Sequence, residues 1–119
     1  MLNELDSLLQ ALPSPAFVFD MTTLEVRAAN TAFQELLGYS REELIGMTID
    51  RFRPADELPA MRQALSTSPP EGQTPWRYLR KDGAVLDVKL TYRDMNYIWN
   101  TPTPTKSRFV VVIRSEQRR

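Results

Sequence analysis

Proton chemistry in this chain falls to carboxylates and phenols, because the sequence contains neither histidine nor cysteine. Without histidine the usual proton shuttle and the commonest metal ligand are gone. Without cysteine there is no thiolate nucleophile, no disulfide and no thiolate zinc site. Serine–histidine and cysteine–histidine hydrolase machinery is excluded as ordinarily built. A small enzyme on this chain would use an Asp or a Tyr inside a cavity as acid or base, with Asp20, Asp56, Asp82 and Asp87 among the candidates. Each of those aspartates has a structural explanation at a turn, a helix cap or the wet face of a strand, Asp56 as the cap of the helix that follows it. The chain is therefore expected not to be an enzyme.

A different chemistry, the satisfaction of helix ends, is written between Asn30 and Gly46 in NTAFQELLGYSREELIG. Asn30 is placed to cap a short helix, accepting from a backbone N–H one turn on. Phe33, Leu36 and Leu37 form its apolar stripe, and Gly38 follows where a left-handed residue ends a helix. Ser40-x-x-Glu43 is a capping box that opens a second helix, with Tyr39 and Leu44 at the two staple positions and Gly46 at its close. The segment reads as two tight helical pieces meeting at a glycine corner.

The pattern Asn30-x-Ala32-Phe33-x-x-Leu36-Leu37-Gly38-Tyr39-Ser40-x-Glu42-Glu43-Leu44-Ile45-Gly46 closely resembles the central motif of PAS domains, small sensory modules of bacterial signalling proteins. Flanking segments extend the resemblance over nearly the whole chain. Residues 14–115 are expected to form the PAS-like domain, and 116–119 the start of a linker or tail.

The elements that must position these residues follow in order. Leu2, Leu5, Leu9 and Leu12, widened by Leu8 and stopped by Pro13, make residues 1–13 an amphipathic helix. It either packs on its own domain or pairs with its twin in a dimer. Ala16 to Asp20 and Leu24 to Ala29 read as a hairpin feeding Asn30, as the first two strands of a PAS domain do. Leu58, Met61 and Leu65 stripe a later helix, with Pro59 in its first turn. Ser66 to Pro75 reads as a loop. Trp76 to Arg80 and Ala84 to Tyr92 flank the Lys81-Asp82-Gly83 turn, a second PAS-like mark. Asn96 to Ser107 is a long connection in which Tyr97 and Trp99 either end a strand or cover a pocket or partner. Arg108 to Arg114 is apolar on both faces, which predicts a central strand whose outer face is covered by the leucine helix of this chain or a second one.

The fold class expected is α+β, a five-stranded antiparallel sheet with short helices on one face plus the N-terminal amphipathic helix. The resemblance implies the strand order two-one-five-four-three and a cupped interior. From positions matching the family's interior it implies a ligand site made of Phe19, Asn30, Phe33, Leu37, Ile45, Phe52, Met61, Leu65, Tyr78, Leu90 and Tyr92. All of these except Asn30 also read as ordinary core, and Asn30 reads as a cap alone. A ligand there would be small and apolar or aromatic. A cysteine-adduct flavin and a histidine-ligated haem are excluded by composition, while non-covalent flavin, haem held by Met or Tyr, and small metabolites stay open.

With fifteen basic and fifteen acidic residues there is no basic field to hold nucleic acid or an anionic membrane. No apolar run reaches the roughly 20 residues that span a bilayer. A cytoplasmic location is expected. The function the resemblance implies is a sensory and regulatory module in signal transduction, binding a small molecule or partner and relaying the change through homodimer geometry to an output domain. The alternative is a ligand-free protein–protein interaction module that dimerises. The segment Ile113 to Arg119 resembles the place where PAS domains hand over to a signalling helix, without the Asp usual there, and suggests an excised or a free-standing domain.

Overall fold

A computed structural model describes residues 4–97, 99 and 103–117. Leu2 and Ile98 lie outside the described residues. The elements are α1 (Glu4–Ala11), β1 (Ala16–Asp20), β2 (Val26–Ala29), α2 (Thr31–Leu37), α3 (Arg41–Leu44), two 3₁₀ turns (Ile49–Phe52 and Ala55–Glu57), α4 (Leu58–Thr67), β3 (Glu71–Leu79), β4 (Val85–Tyr97) and β5 (Thr105–Gln117). The five strands form one antiparallel sheet in the order β2-β1-β5-β4-β3. Among the described residues no helix is long and apolar enough to cross a membrane.

Both faces of the sheet are covered, which explains why β1 is buried at all five positions. Side chains alternate across a strand, so Phe17 and Phe19 enter the core beneath α2, α3 and α4 while Ala16 and Val18 meet α1 on the other face. Leu5 and Leu9 of α1 pack there with Ala28 and with half-buried Phe109 and Val111 of β5. The small Ala16 and Ala28 let the helix come close. The leucine helix of this chain is thus what covers the outer face of β5.

Asn30 does more than cap α2. Its Oδ1 accepts from Phe33 N–H and from Ala16 N–H, each at 3.0 Å, while its Nδ2 donates to Leu9 O at 3.0 Å and Ser14 O at 2.8 Å. One buried amide therefore ties α1, β1 and α2 together. Gly38 closes α2 at φ +84°, and the Ser40–Glu43 capping box forms in both directions. The β3–β4 hairpin then grips this corner: Lys81 N–H donates to Leu37 O at 2.9 Å, and Arg80 donates to Leu36 O.

Three expectations are corrected. The stretch 66–75 is not all loop: α4 runs to Thr67 and β3 starts at Glu71, with Pro75 tolerated because β3 is an edge strand that needs no donor on its open side. Asp56 does not cap α4; it lies in the second 3₁₀ turn and accepts from Arg77 Nη2 at 2.7 Å. Strand β2 starts at Val26, because Leu24 adopts φ +66° in a turn held by Asp20 Oδ1.

Candidate functional site

Strand alternation brings Phe17 and Phe19 of β1, Tyr78 of β3, Leu90 and Tyr92 of β4 and Val110 of β5 to the concave face. Opposite them, Ile49 and Phe52 on the first 3₁₀ turn and Met61, Ala64 and Leu65 on α4 form a second wall. Between the two lies a cavity of about 280 Å³. Towards α2 the interior is filled instead by rings: Phe17 stacks on Phe33 at 4.4 Å between centroids, and Phe52 meets Tyr78 edge-on at 5.3 Å.

Seven of the residues expected at the site line this cavity: Phe19, Phe52, Met61, Leu65, Tyr78, Leu90 and Tyr92. The other four stand elsewhere. Phe33 and Leu37 are fully buried in the packed core, Asn30 is bonded to backbone beneath α1, and Ile45 is 36% exposed just past the end of α3.

Two arginines in the wall were not among the expected residues. Arg108 is held by a fork, Nε to Asp94 Oδ1 at 2.6 Å and Nη2 to Asp94 Oδ2 at 3.1 Å, with Nη2 also donating to Ser68 Oγ at 2.9 Å. Its guanidinium lies over the Tyr92 ring at 4.0 Å, and the Tyr92 hydroxyl donates to Pro69 O, so this end of the cavity is locked. Arg108 shares strand parity with Val110 and Val112, which is the sequence signal that could have placed it. Arg53 lies over Trp76 at 4.4 Å and Tyr78 at 5.6 Å. Its Nη2 reaches Glu57 Oε1 at 3.5 Å. Glu57 lies four residues on, but the aromatic neighbours of Arg53 arrive from β3, more than twenty residues away, which no local pattern shows.

Burial pushes the Arg53 guanidinium below its ordinary value, with Tyr78 and Glu57 opposing. Burial likewise pushes the Tyr78 phenol up, partly offset by Arg53. A phenol held protonated in this way is no base near neutral pH. Among the described residues no group of three or more His, Cys, Asp or Glu side chains is placed to hold a metal ion. The enclosure is mainly aromatic and aliphatic, with Ser68, Gln73, Thr74 and the two guanidinium groups as its polar side chains.

The sequence matches the PAS fold family over residues 3–103. The chain belongs to the PAS family. No curated protein matches this PAS domain in sequence. Among solved structures it is similar to the PAS domain of an HTR-like protein from Haloarcula marismortui, at 22% identity and TM-score 0.70, covering 96% of this chain and 88% of that one. It is also similar to a PAS domain from a two-component sensor histidine kinase, at 17% identity and TM-score 0.71, covering 94% and 93%. A third is the Rhodobacter sphaeroides LOV protein, at 19% identity and TM-score 0.72, covering 91% of this chain and 62% of that one. PAS domains are sensory and signalling modules, generally not catalytic ones. This PAS domain lacks any cysteine with which a flavin adduct could form.

Proposed function

We propose that this PAS domain is a sensory and regulatory module in which a small apolar or aromatic molecule occupies the cavity between the sheet and α4, and that the change is relayed through homodimer geometry to a signalling output domain. The cavity of about 280 Å³ carries this reading. Protein interiors pack with few voids larger than a water molecule, so a mainly apolar space of this size with a few polar groups in its wall is the default ligand site. Helix α4 is the element placed to respond, since Met61 and Leu65 face the cavity and no side chain caps its N-terminus.

Strand β5 and α1 would carry the relay. Val110 faces the cavity while Phe109 and Val111 meet Leu5 and Leu9 on the other side of the sheet. Leu5 and Leu9 seat the helix. Leu8 and Leu12, four residues apart and 66% and 37% exposed, are the leucines it leaves for a second copy. Those outward leucines also favour the second reading, a ligand-free dimerisation module.

Native mass spectrometry of the protein purified from its own host, at graded collision energy, tests both. A bound small molecule is expected, and an empty homodimer in every preparation overturns sensing through this cavity. Replacing Leu8 and Leu12 together by Glu is expected to give a monomer by light scattering, and an unchanged mass overturns the relay.

A further inference from the structure

The two arginines in the cavity wall are satisfied to different degrees. Arg108 has a carboxylate as buried as itself, both of whose oxygens it engages. Arg53 is only 7% exposed, yet among the described residues its guanidinium's hydrogen bonding is the one contact from Nη2 to Glu57 at 3.5 Å. That carboxylate belongs more closely to Arg77, whose backbone N–H and Nε each donate to it at 3.1 Å. Among the described residues the buried Nε of Arg53 has no acceptor.

Guanidinium donors lie in the plane of the fork, whereas Trp76 covers its face. Stacking therefore holds the cation in place without using a donor. A buried cation kept by a ring and one stretched bond is unfavourable unless an acceptor completes it. Apart from Ser68, Gln73, Thr74 and Arg108 the remaining lining side chains are apolar or aromatic, so the missing group is one with acceptor oxygens on a mainly hydrophobic body. A carboxylate fits, since its two oxygens match the guanidinium edge.

We propose that the cavity binds a small monocarboxylic acid with an apolar or aromatic body, its carboxylate on Arg53 and its body against Phe19, Phe52, Met61, Tyr78 and Leu90. This rests on the ligand-binding reading above. One negative charge suffices because Asp94 already neutralises Arg108, and a second carboxylate would sit unpaired among apolar side chains. At roughly 30 Å³ per water-sized group, the space takes on the order of ten heavy atoms.

The test titrates 3-phenylpropanoate and hexanoate, each beside its uncharged amide, into the full chain by calorimetry and by amide and indole N–H spectra. Both acids are expected to bind about tenfold or more tighter than their amides and to shift the Trp76 indole signal. Arg53→Met should bring the acids to the affinity of the amides and leave the amides unchanged. Equal binding of acid and amide by the wild-type chain, or acid binding unaffected by Arg53→Met, overturns the carboxylate and leaves the ligand-binding reading standing. If none of the four compounds shifts a cavity signal at millimolar concentration, both fall. The acid-to-amide ratio is read on the wild-type chain, so it decides even where the variant does not fold.

Discussion

The segment from Asn30 to Gly46 and the segment from Ile49 to Ser68 are both short helical pieces laid on the same face of the sheet, but their ends are satisfied differently. Helices α2 and α3 have side-chain caps at their N-termini, and the β3–β4 hairpin ties down the end of α2. Phe33, Leu37 and Leu44 are fully buried behind them. The two 3₁₀ turns and α4 have no side-chain cap, and their apolar residues border a cavity. The first segment is held by its own caps; the second is held instead by bonds to the sheet, Asp56 and Glu57 to Arg77 and Ser68 to Arg108. Elements that respond to ligands come from the less stabilised parts of a fold, so in the sensory reading proposed above the response falls to the second.

Core deletions should sharpen this contrast most. Phe33→Ala removes a ring stacked on Phe17 and is expected to cost about 3–5 kcal/mol in urea unfolding. Leu65→Ala, half-buried on the cavity wall, should cost only about 1 kcal/mol, because its neighbours there already lack partners on one side. Similar losses for the two would remove the distinction. Next comes the polar tie. Asn30→Ala strands buried donors and acceptors on α1, β1 and α2 at once, so about 3 kcal/mol is expected, against about 1 kcal/mol for the exposed cap in Ser40→Ala. Equal costs would reduce Asn30 to a simple cap.

Tyr78 spans the two segments, touching Phe17, Phe33 and Phe52 edge-on and lining the cavity, and it gives the smallest effect. Its phenol is held above the ordinary value by burial. Below about pH 10 it is neutral in both the folded and unfolded chain and contributes no pH dependence. Above that, the unfolded chain releases the proton and the folded chain keeps it, so stability falls as pH rises towards the folded value. Between pH 10 and pH 11 the loss from this one group should be about 1 kcal/mol. Tyr78→Phe should abolish that part of the decline, and an unchanged alkaline slope would show that the phenol ionises freely in the fold.

Local chemistry made the first segment legible. The capping of Asn30 and Ser40, the glycine corner at Gly38 and the Asp82-Gly83 turn each join residues a few positions apart, and all form. The PAS resemblance implied the strand order that forms, and patterning pointed to the cover of β5, because a strand apolar on both faces must find two apolar layers. Boundaries failed where tertiary pairing overrode composition, as at Glu71 to Pro75, which turn-rich residues marked as loop but β4 draws into an edge strand.

What only the tertiary structure decided is which apolar residues are filled core and which border space. Phe33 and Phe52 are alike by sequence, and their separation into packed ring and cavity wall depends on how far α4 stands from the sheet. The same holds for the polar groups. Asn30 reads as a cap from its neighbours, but its hold on α1 joins residues twenty-one apart, and Arg53 gains its aromatic shelf and shares Glu57 with Arg77 only once β3 lies beside it. Helix ends are satisfied within one turn and can be read from the chain. The environment of a buried charge is assembled from distant strands, and it exists only in the fold.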